Sequence, residues 1–333
     1  MLHIQNFKQE ELLPLDAFYP AANTGLPELK GQLLKWIGNK QKFAPSLIQY
    51  FPKSYGTYFE PFLGSGAVLA TLAPPKAIAS DIFKPLTEIW AQLRKDPEVL
   101  IDWYTERHAL IETMGKKEAY EHVKASYNAR PNGADLLFLS RVCYGGVVRF
   151  RKGDGYMSTP CGPHRPMPPE NFRQRAMIWA ARTRGATFVH GDFEEVLGQA
   201  KAGDLVYMDP PYADSQTILY GAQAFKLERL FRCIATLRER GVFVALSIDG
   251  TKKSGTETID LPIPEGLFER EVFVQLGSSM LKRFQLADQN GDDHHVSDRL
   301  LLTYLPTPVC SSGAPFHACP ERRRRPLVHR PAC

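Results

Sequence analysis

Two adjacent prolines, Pro210 and Pro211, stand directly behind the apolar run "DLVYM" and the carboxylate Asp209. Neither proline continues a helix or donates to a central sheet, so the chain must leave that run in a rigid turn. Leu205, Val206 and Tyr207 read as a buried strand, and the turn holds Asp209 and the aromatic ring of Tyr212 together at its carboxyl end.

Strand and helix signals alternate along most of the chain. "GTYFEPFLGSGAVLATLA" from Gly56 reads as strand, glycine loop and helix, and "AIASD" ends a second strand at Asp81 before the helical "PLTEIWAQLRK". After Ala186 come "ATFVHGDF", "EEVLGQA", the "DLVYMDPPY" strand, a helix over 226–240 and the strand "GVFVALSID". Such alternation predicts an α/β fold with a mostly parallel sheet covered by helices. "FEREVFVQL" and "DRLLLTYL" read as a hairpin that finishes the sheet with an antiparallel strand. Residues 96–185 break the pattern. They begin with the helical "VLIDWYTERHALIE" and "EAYEHVKASYNA", then become Gly- and Pro-rich. We therefore expect residues 1–95 and 186–306 to form one domain in two parts, with 96–185 inserted between them. Residues 307–333 hold Arg322 to Arg325 and Arg330 against Glu321, with no hydrophobic period, and read as a disordered basic tail.

Bulk properties narrow the classes. The N-terminal "MLHIQNFKQEELL" has no signal-peptide pattern, and no run reaches the roughly 18 apolar residues of a membrane helix. The six cysteines lack CxxC pairing, so a reducing cytoplasm is expected, with Cys143 and Cys233 as core residues. His294 and His295 beside Asp292 and Asp293 belong to a polar turn whose adjacent side chains do not converge on one ion, and no metal is expected. Charge is concentrated between Arg141 and Arg184, where nine Arg or Lys face Asp154 and Glu170 and alternate with Tyr144, Phe150, Tyr156, Phe172 and Trp179. That composition predicts a nucleic-acid surface, with a solvated basic face as the alternative.

The glycine loop "FEPFLGSGAV" brings Gly64 and Gly66 to a strand-to-helix turn, where the backbone can approach a ligand. Leu69 stands where the dinucleotide fingerprint requires a third glycine, which argues against hydride transfer. Asp81, 15 residues past Gly66, ends the next strand and can accept both hydroxyls of a ribose. A nucleoside without pyrophosphate fits, and S-adenosylmethionine is the candidate. Exocyclic amines of nucleobases are poor nucleophiles. Asp209 and the Pro210 carbonyl can accept both amine hydrogens, and Asp209 can balance the positive charge that develops on nitrogen. Tyr212 offers a stacking face for a base, which must leave the duplex to reach it.

In this order the motifs resemble the Dam-type family of DNA adenine-N6 methyltransferases, over Leu33 to Pro306. The resemblance implies a Rossmann-like methyltransferase fold with an inserted, mainly helical DNA-recognition domain. "LLKWIGNK" is similar to the family's N-terminal cofactor motif, making Trp36 and Lys40 cofactor contacts. "FEPFLGSGAV" carries Glu60, Pro61, Phe62, Gly64 and Gly66 to the cofactor loop, "ASDIFKPL" carries Asp81, and "HGDF" brings Asp192 and Phe193 near the cofactor adenine. "DPPY" becomes the catalytic motif Asp209, Pro210, Pro211 and Tyr212. The insertion implies DNA contacts at Arg141, Tyr144, Arg149, Arg151 and Lys152. Implied partners are double-stranded DNA and, in a restriction–modification setting, a cognate endonuclease; the implied host is bacterial or a phage. Asn39 replaces a family glycine, and Met157 and Ser158 replace the usual Phe-Asn, which leaves the DNA sequence read open. Related methyltransferases acting on RNA, protein glutamine or cytosine N4, and a catalytically dead DNA-binding relative, are the alternatives.

Overall fold

The apolar runs become strands of one seven-stranded sheet, in a computed structural model that describes residues 25–211, 225–249, 262–275 and 297–305. Strands β1 (Tyr58–Glu60), β2 (Ala77–Asp81), β3 (Ala186–His190), β4 (Leu205–Met208) and β5 (Phe243–Asp249) are parallel. The other two, β6 (Arg270–Gln275) and β7 (Ser297–Leu302), pair antiparallel. The order is β3-β2-β1-β4-β5-β7-β6, so β7 lies between β5 and β6 and is antiparallel to both. Between β1 and β4 the winding reverses, which opens a crevice at the carboxyl ends of the strands. The sheet agrees with the expected Rossmann-like architecture.

Side-chain alternation sorts the strands onto two cores. Tyr58, Leu205, Tyr207 and Ala245 face one layer, while Phe59, Val206, Met208 and Leu246 face the other. Helices α1 (Ala44–Ile48), α2 (Ala67–Leu72) and α3 (Lys84–Lys95) pack on the first face. Helix α3 buries Leu86, Ile89, Trp90 and Leu93 at helical spacing and carries Arg94 and Lys95 in its last turn, where cations suit the helix dipole. On the second face lie α8 (Phe193–Leu197) and α9 (Leu227–Glu239), numbered in chain order after the inserted helices.

The insertion contributes α4 (Pro97–Met114), α5 (Lys116–Ala129), α6 (Gly133–Val142) and α7 (Pro169–Arg182). Its Tyr104, Phe138, Phe172 and Trp179 continue the first core without interruption. Leu136 to Leu139 in α6 are all fully buried. Helix α6 buries nine of its ten residues, the polar Asp135 and Ser140 among them, so no 3.6-residue apolar stripe marks a core face. Asp96 caps α4 by accepting from the Glu98 and Val99 N–H groups. Arg182 in α7 donates to the Ala70 and Thr71 carbonyls at the end of α2 and to the Pro27 carbonyl. No helix among the described residues is long and apolar enough to cross a membrane.

Asp135 joins three inserted helices. Its buried carboxylate accepts from Arg107 Nε at 2.7 Å in α4, Ser126 Oγ at 2.8 Å in α5 and Asn132 Nδ2 at 2.8 Å before α6. Removing it takes the carboxylate partner from the half-buried Arg107 guanidinium and one acceptor each from Asn132 and the exposed Ser126. Asp135→Ala is expected to lower unfolding free energy by about 2–4 kcal/mol in urea titration. A loss below about 1 kcal/mol would show that these bonds are dispensable.

Candidate active site

The glycine loop is shaped by its neighbours. Gly64 and Gly66 adopt φ of +48° and +62°, a region that strains residues with a Cβ. A Cβ on Gly66 would meet the Trp90 ring at 3.0 Å, and Trp90 Nε1 donates to the Gly64 carbonyl at 3.1 Å. Asp81 fixes the loop from the other side. Its two carboxylate oxygens accept from the Gly64 and Phe83 N–H groups, each at 3.0 Å. Burial raises the Asp81 pKa, while those two bonds pull it back.

The carboxyl ends of β1, β2 and β4 open onto a cavity of about 210 Å³. From one side Trp36, Lys40, Glu60, Pro61 and Phe62 line it. Gly64, Asp81, Asp192, Phe193 and Asp209 are also in the wall, together with Pro211. Gly66 and Pro210 are not among the lining residues; the missing Cβ of Gly66 makes room for Trp90 instead. Tyr212 and the His294–His295 turn lie outside the described residues, as does the tail from residue 306. Among the described residues no cluster of His, Cys, Asp or Glu forms a metal site.

Two ion pairs and one buried hydrogen bond furnish the cavity. Lys40 Nζ bonds Asp209 Oδ1 at 2.9 Å, with side chains only 7% and 18% exposed. Asp192 caps α8 by accepting from the Glu194 N–H and is gripped by Arg229, whose Nη2 lies 2.6 Å from Oδ1 and Nη1 3.2 Å from Oδ2. Arg229 also reaches Glu194 at 2.9 Å and lies over the Phe193 ring. Glu60, on β1, accepts from the Tyr58 hydroxyl at 2.7 Å. The motifs do not reveal Arg229, Tyr207 or Phe225, although all three line the cavity. Arg229 arrives from α9, 37 residues past Asp192, with no spacing rule to join them.

The insertion presents a hairpin beside this cavity. Phe150 bridges Met157, the Arg151 N–H donates to the Tyr156 carbonyl at 2.9 Å, and the Ser158 N–H donates to the Arg149 carbonyl at 3.0 Å. Phe150 meets Phe83 edge to face with centroids 5.5 Å apart, and Phe83 stacks on Trp36 in the cavity wall. Tyr144, Arg149, Arg151 and Lys152 are exposed. The Arg151 guanidinium pairs with Asp154 at 2.8 Å and lies 4.2 Å from the Tyr156 ring centroid.

Arg141 requires a correction. Its Nη1 donates to the Leu33 carbonyl at 2.7 Å and to the Gln32 carbonyl at 3.1 Å, and the guanidinium packs over Phe172. It ties the N-terminal segment to α6 rather than facing DNA. Arg175 and Arg182 likewise donate to backbone carbonyls, and Arg173 pairs with Glu98. With Arg151, which pairs with Asp154, five of the nine cations counted in this segment are thus engaged within the protein, and composition overstates the basic face. Cys143 is buried and Cys233 half-buried, and burial pushes their thiols up to about 12 and about 11, as befits core residues.

Burial pushes the Glu60 carboxyl up to about 8, the Tyr58 bond opposing and the Asp209 charge adding to the rise. Folding near neutrality therefore takes up a proton at Glu60. The destabilisation from this group grows as pH climbs from the unfolded carboxylate range toward the folded value. Glu60→Gln is expected to flatten the decline of melting temperature between roughly pH 5 and 8 in scanning fluorimetry. Parallel wild-type and variant curves would contradict this.

Comparison with known proteins agrees with this geometry. The family model for the D12 class N6 adenine-specific DNA methyltransferase matches residues 36–264. The type II methyltransferase M1.LlaDCHI of Lactococcus lactis subsp. cremoris is 29% identical over 64% of this chain and 79% of that protein. The Retron Ec67 DNA adenine methylase of Escherichia coli is 30% identical over 54% of this chain and 63% of its own length. A DNA adenine methylase of Vibrio cholerae serotype O1 is 24% identical over 82% of this chain and 95% of that protein. A match across most of the chain, spanning the glycine loop, Asp81 and Asp209 in order, establishes that it belongs to the D12 class of N6 adenine-specific DNA methyltransferases.

Proposed function

We propose that this chain methylates N6 of an adenine flipped out of a specific site in double-stranded DNA, with S-adenosylmethionine as methyl donor. One observation carries the reading: Asp209, at the end of β4, shares a single cavity with Asp81 and the glycine loop. The residues present suit the donor. Asp81 keeps acceptor capacity for ribose hydroxyls beyond its two N–H bonds, Gly64 lets the backbone approach, and Phe62 and Phe193 supply apolar walls near Asp192. When bound, S-adenosylmethionine supplies an electrophilic methyl group on a sulfonium.

The chain's own residues then have separable tasks. Asp209 accepts a hydrogen of the target amine and balances the charge that develops on nitrogen. Pro210 and Pro211 hold that carboxylate at the strand end, and Tyr212 stacks the extruded base. Residues 96–185 serve as the recognition unit, with Arg149, Arg151, Lys152 and Tyr144 toward the duplex. Such an enzyme works on DNA in the cytoplasm of a bacterial host. The type II names among its relatives favour a restriction–modification role alongside an endonuclease of the same site.

Asp209→Ala should preserve folding and reduce methyl transfer by about 10²–10³-fold or more, measured as tritiated methyl incorporated into DNA. Near-normal incorporation would remove Asp209 from the chemistry. For the hairpin, Arg149→Ala or Arg151→Ala should relax the methylated sequence, because a bidentate arginine–guanine pair discriminates by about 1–3 kcal/mol. Lys152→Ala should instead weaken all DNA binding and flatten its salt dependence. Methylation mapping on a random-sequence library distinguishes the two, and an unchanged site profile in both arginine variants would place recognition elsewhere.

A further inference from the structure

The reactive carboxylate is already occupied. Lys40 Nζ sits 2.9 Å from Asp209 Oδ1, and both side chains are largely withdrawn from water. A charge-assisted bond in such a setting is strong and poorly screened, so another anion is needed to exchange it. The pair also works against the chemistry that Asp209 is proposed to perform. An ammonium on Oδ1 weakens the carboxylate as an acceptor, and it opposes positive charge developing on a nearby amine. A sulfonium entering the same cavity would be repelled by it as well.

The cavity supplies a reason for the lysine to move. Among the described residues that line it, the cations are Lys40 and Arg229. Arg229 is committed to Asp192 and Glu194 at the far side. Were adenine held at Asp192 and ribose at Asp81, the wall beside Asp209, where Lys40 and Glu60 stand, would be left for the amino-acid tail of the cofactor. Lys40 is then the cation that can meet its carboxylate, and Glu60 can meet its ammonium once ionised.

Resting on the cofactor reading above, we propose that Lys40 is an exchangeable positioning residue. It holds Asp209 neutralised in the empty enzyme, moves to the cofactor carboxylate on binding, and frees Oδ1 for the target amine. Loading the methyl donor and unmasking the acceptor thereby become one event. An enzyme without its donor does not hold an adenine in productive contact.

The exchange has a thermodynamic signature that needs neither DNA nor turnover. Cofactor binding must break the Lys40–Asp209 pair, so removing the Asp209 charge should make binding tighter, and only through the cofactor carboxylate. The probes are S-adenosylhomocysteine and its decarboxylated analogue, titrated calorimetrically into the 333-residue chain. Asp209→Asn is expected to tighten S-adenosylhomocysteine by about tenfold and to leave the decarboxylated analogue within about twofold. Lys40→Gln should weaken S-adenosylhomocysteine by about tenfold, again sparing the analogue, and should abolish the effect of Asp209→Asn in the double variant. Equal effects on both probes, or an Asp209→Asn variant that binds S-adenosylhomocysteine no tighter than wild type, would overturn the exchange.

A wild-type measurement makes the test independent of variant folding. With decarboxylated S-adenosylmethionine as donor, kcat should fall at least about tenfold at saturation, since Lys40 stays on Asp209. A change confined to KM would reduce Lys40 to a simple contact and refute the proposal. Failure of the wild-type protein to bind S-adenosylhomocysteine at all would refute the cofactor reading itself, a distinct outcome.

Discussion

The bond from the Gly64 N–H to the Asp81 carboxylate is the constraint on which the site depends. It ties the loop after β1 to the end of β2, two strands already in parallel register through Glu60 and Ala79. The second oxygen of Asp81 holds the Phe83 N–H and sets the start of α3. Trp90, one of the buried residues of α3, then reaches back to the Gly64 carbonyl and fills the space beside Gly66. The loop is thereby clamped between Asp81 and Trp90 before any ligand arrives, so little ordering remains to oppose binding.

From this clamp the rest of the site follows by topology. The reversal of winding between β1 and β4 puts Asp209 across the crevice from the glycine loop. The insertion is attached to the same framework, not hinged to it. Arg141, Arg175, Trp179 and Arg182 all donate to carbonyls of residues 27–33, and Phe150 packs on Phe83 at the cavity wall. Hairpin and cavity are thus held by one continuous core.

Much of this was legible in the sequence wherever function constrains the backbone. The two prolines after β4, the glycines after β1 and the carboxylates at strand ends are local signals; the structure brings Gly64, Asp81, Asp209 and Pro211 together in one cavity, while Gly66 and Pro210 lie outside its lining. Less local features escaped. Helix α6 buries nearly all of its residues and has no periodicity to read, and Asp135 meets Arg107 and Ser126 only after α4, α5 and α6 assemble. Arg229 reaches Asp192 from another element. Composition misled at Arg141, because a count of cations cannot distinguish a guanidinium that binds carbonyls from one that meets solvent.

The account's central claim is that this cavity moves a methyl group to the exocyclic nitrogen of adenine. The most direct test is to incubate the purified protein with duplex DNA and S-adenosylmethionine bearing a deuterated methyl group. The DNA is then digested, and its nucleosides are resolved by mass spectrometry. The account predicts label in N6-methyladenine, with none in methylated cytosines. Label on cytosine, or DNA left unlabelled under conditions where the protein binds the donor, would contradict it.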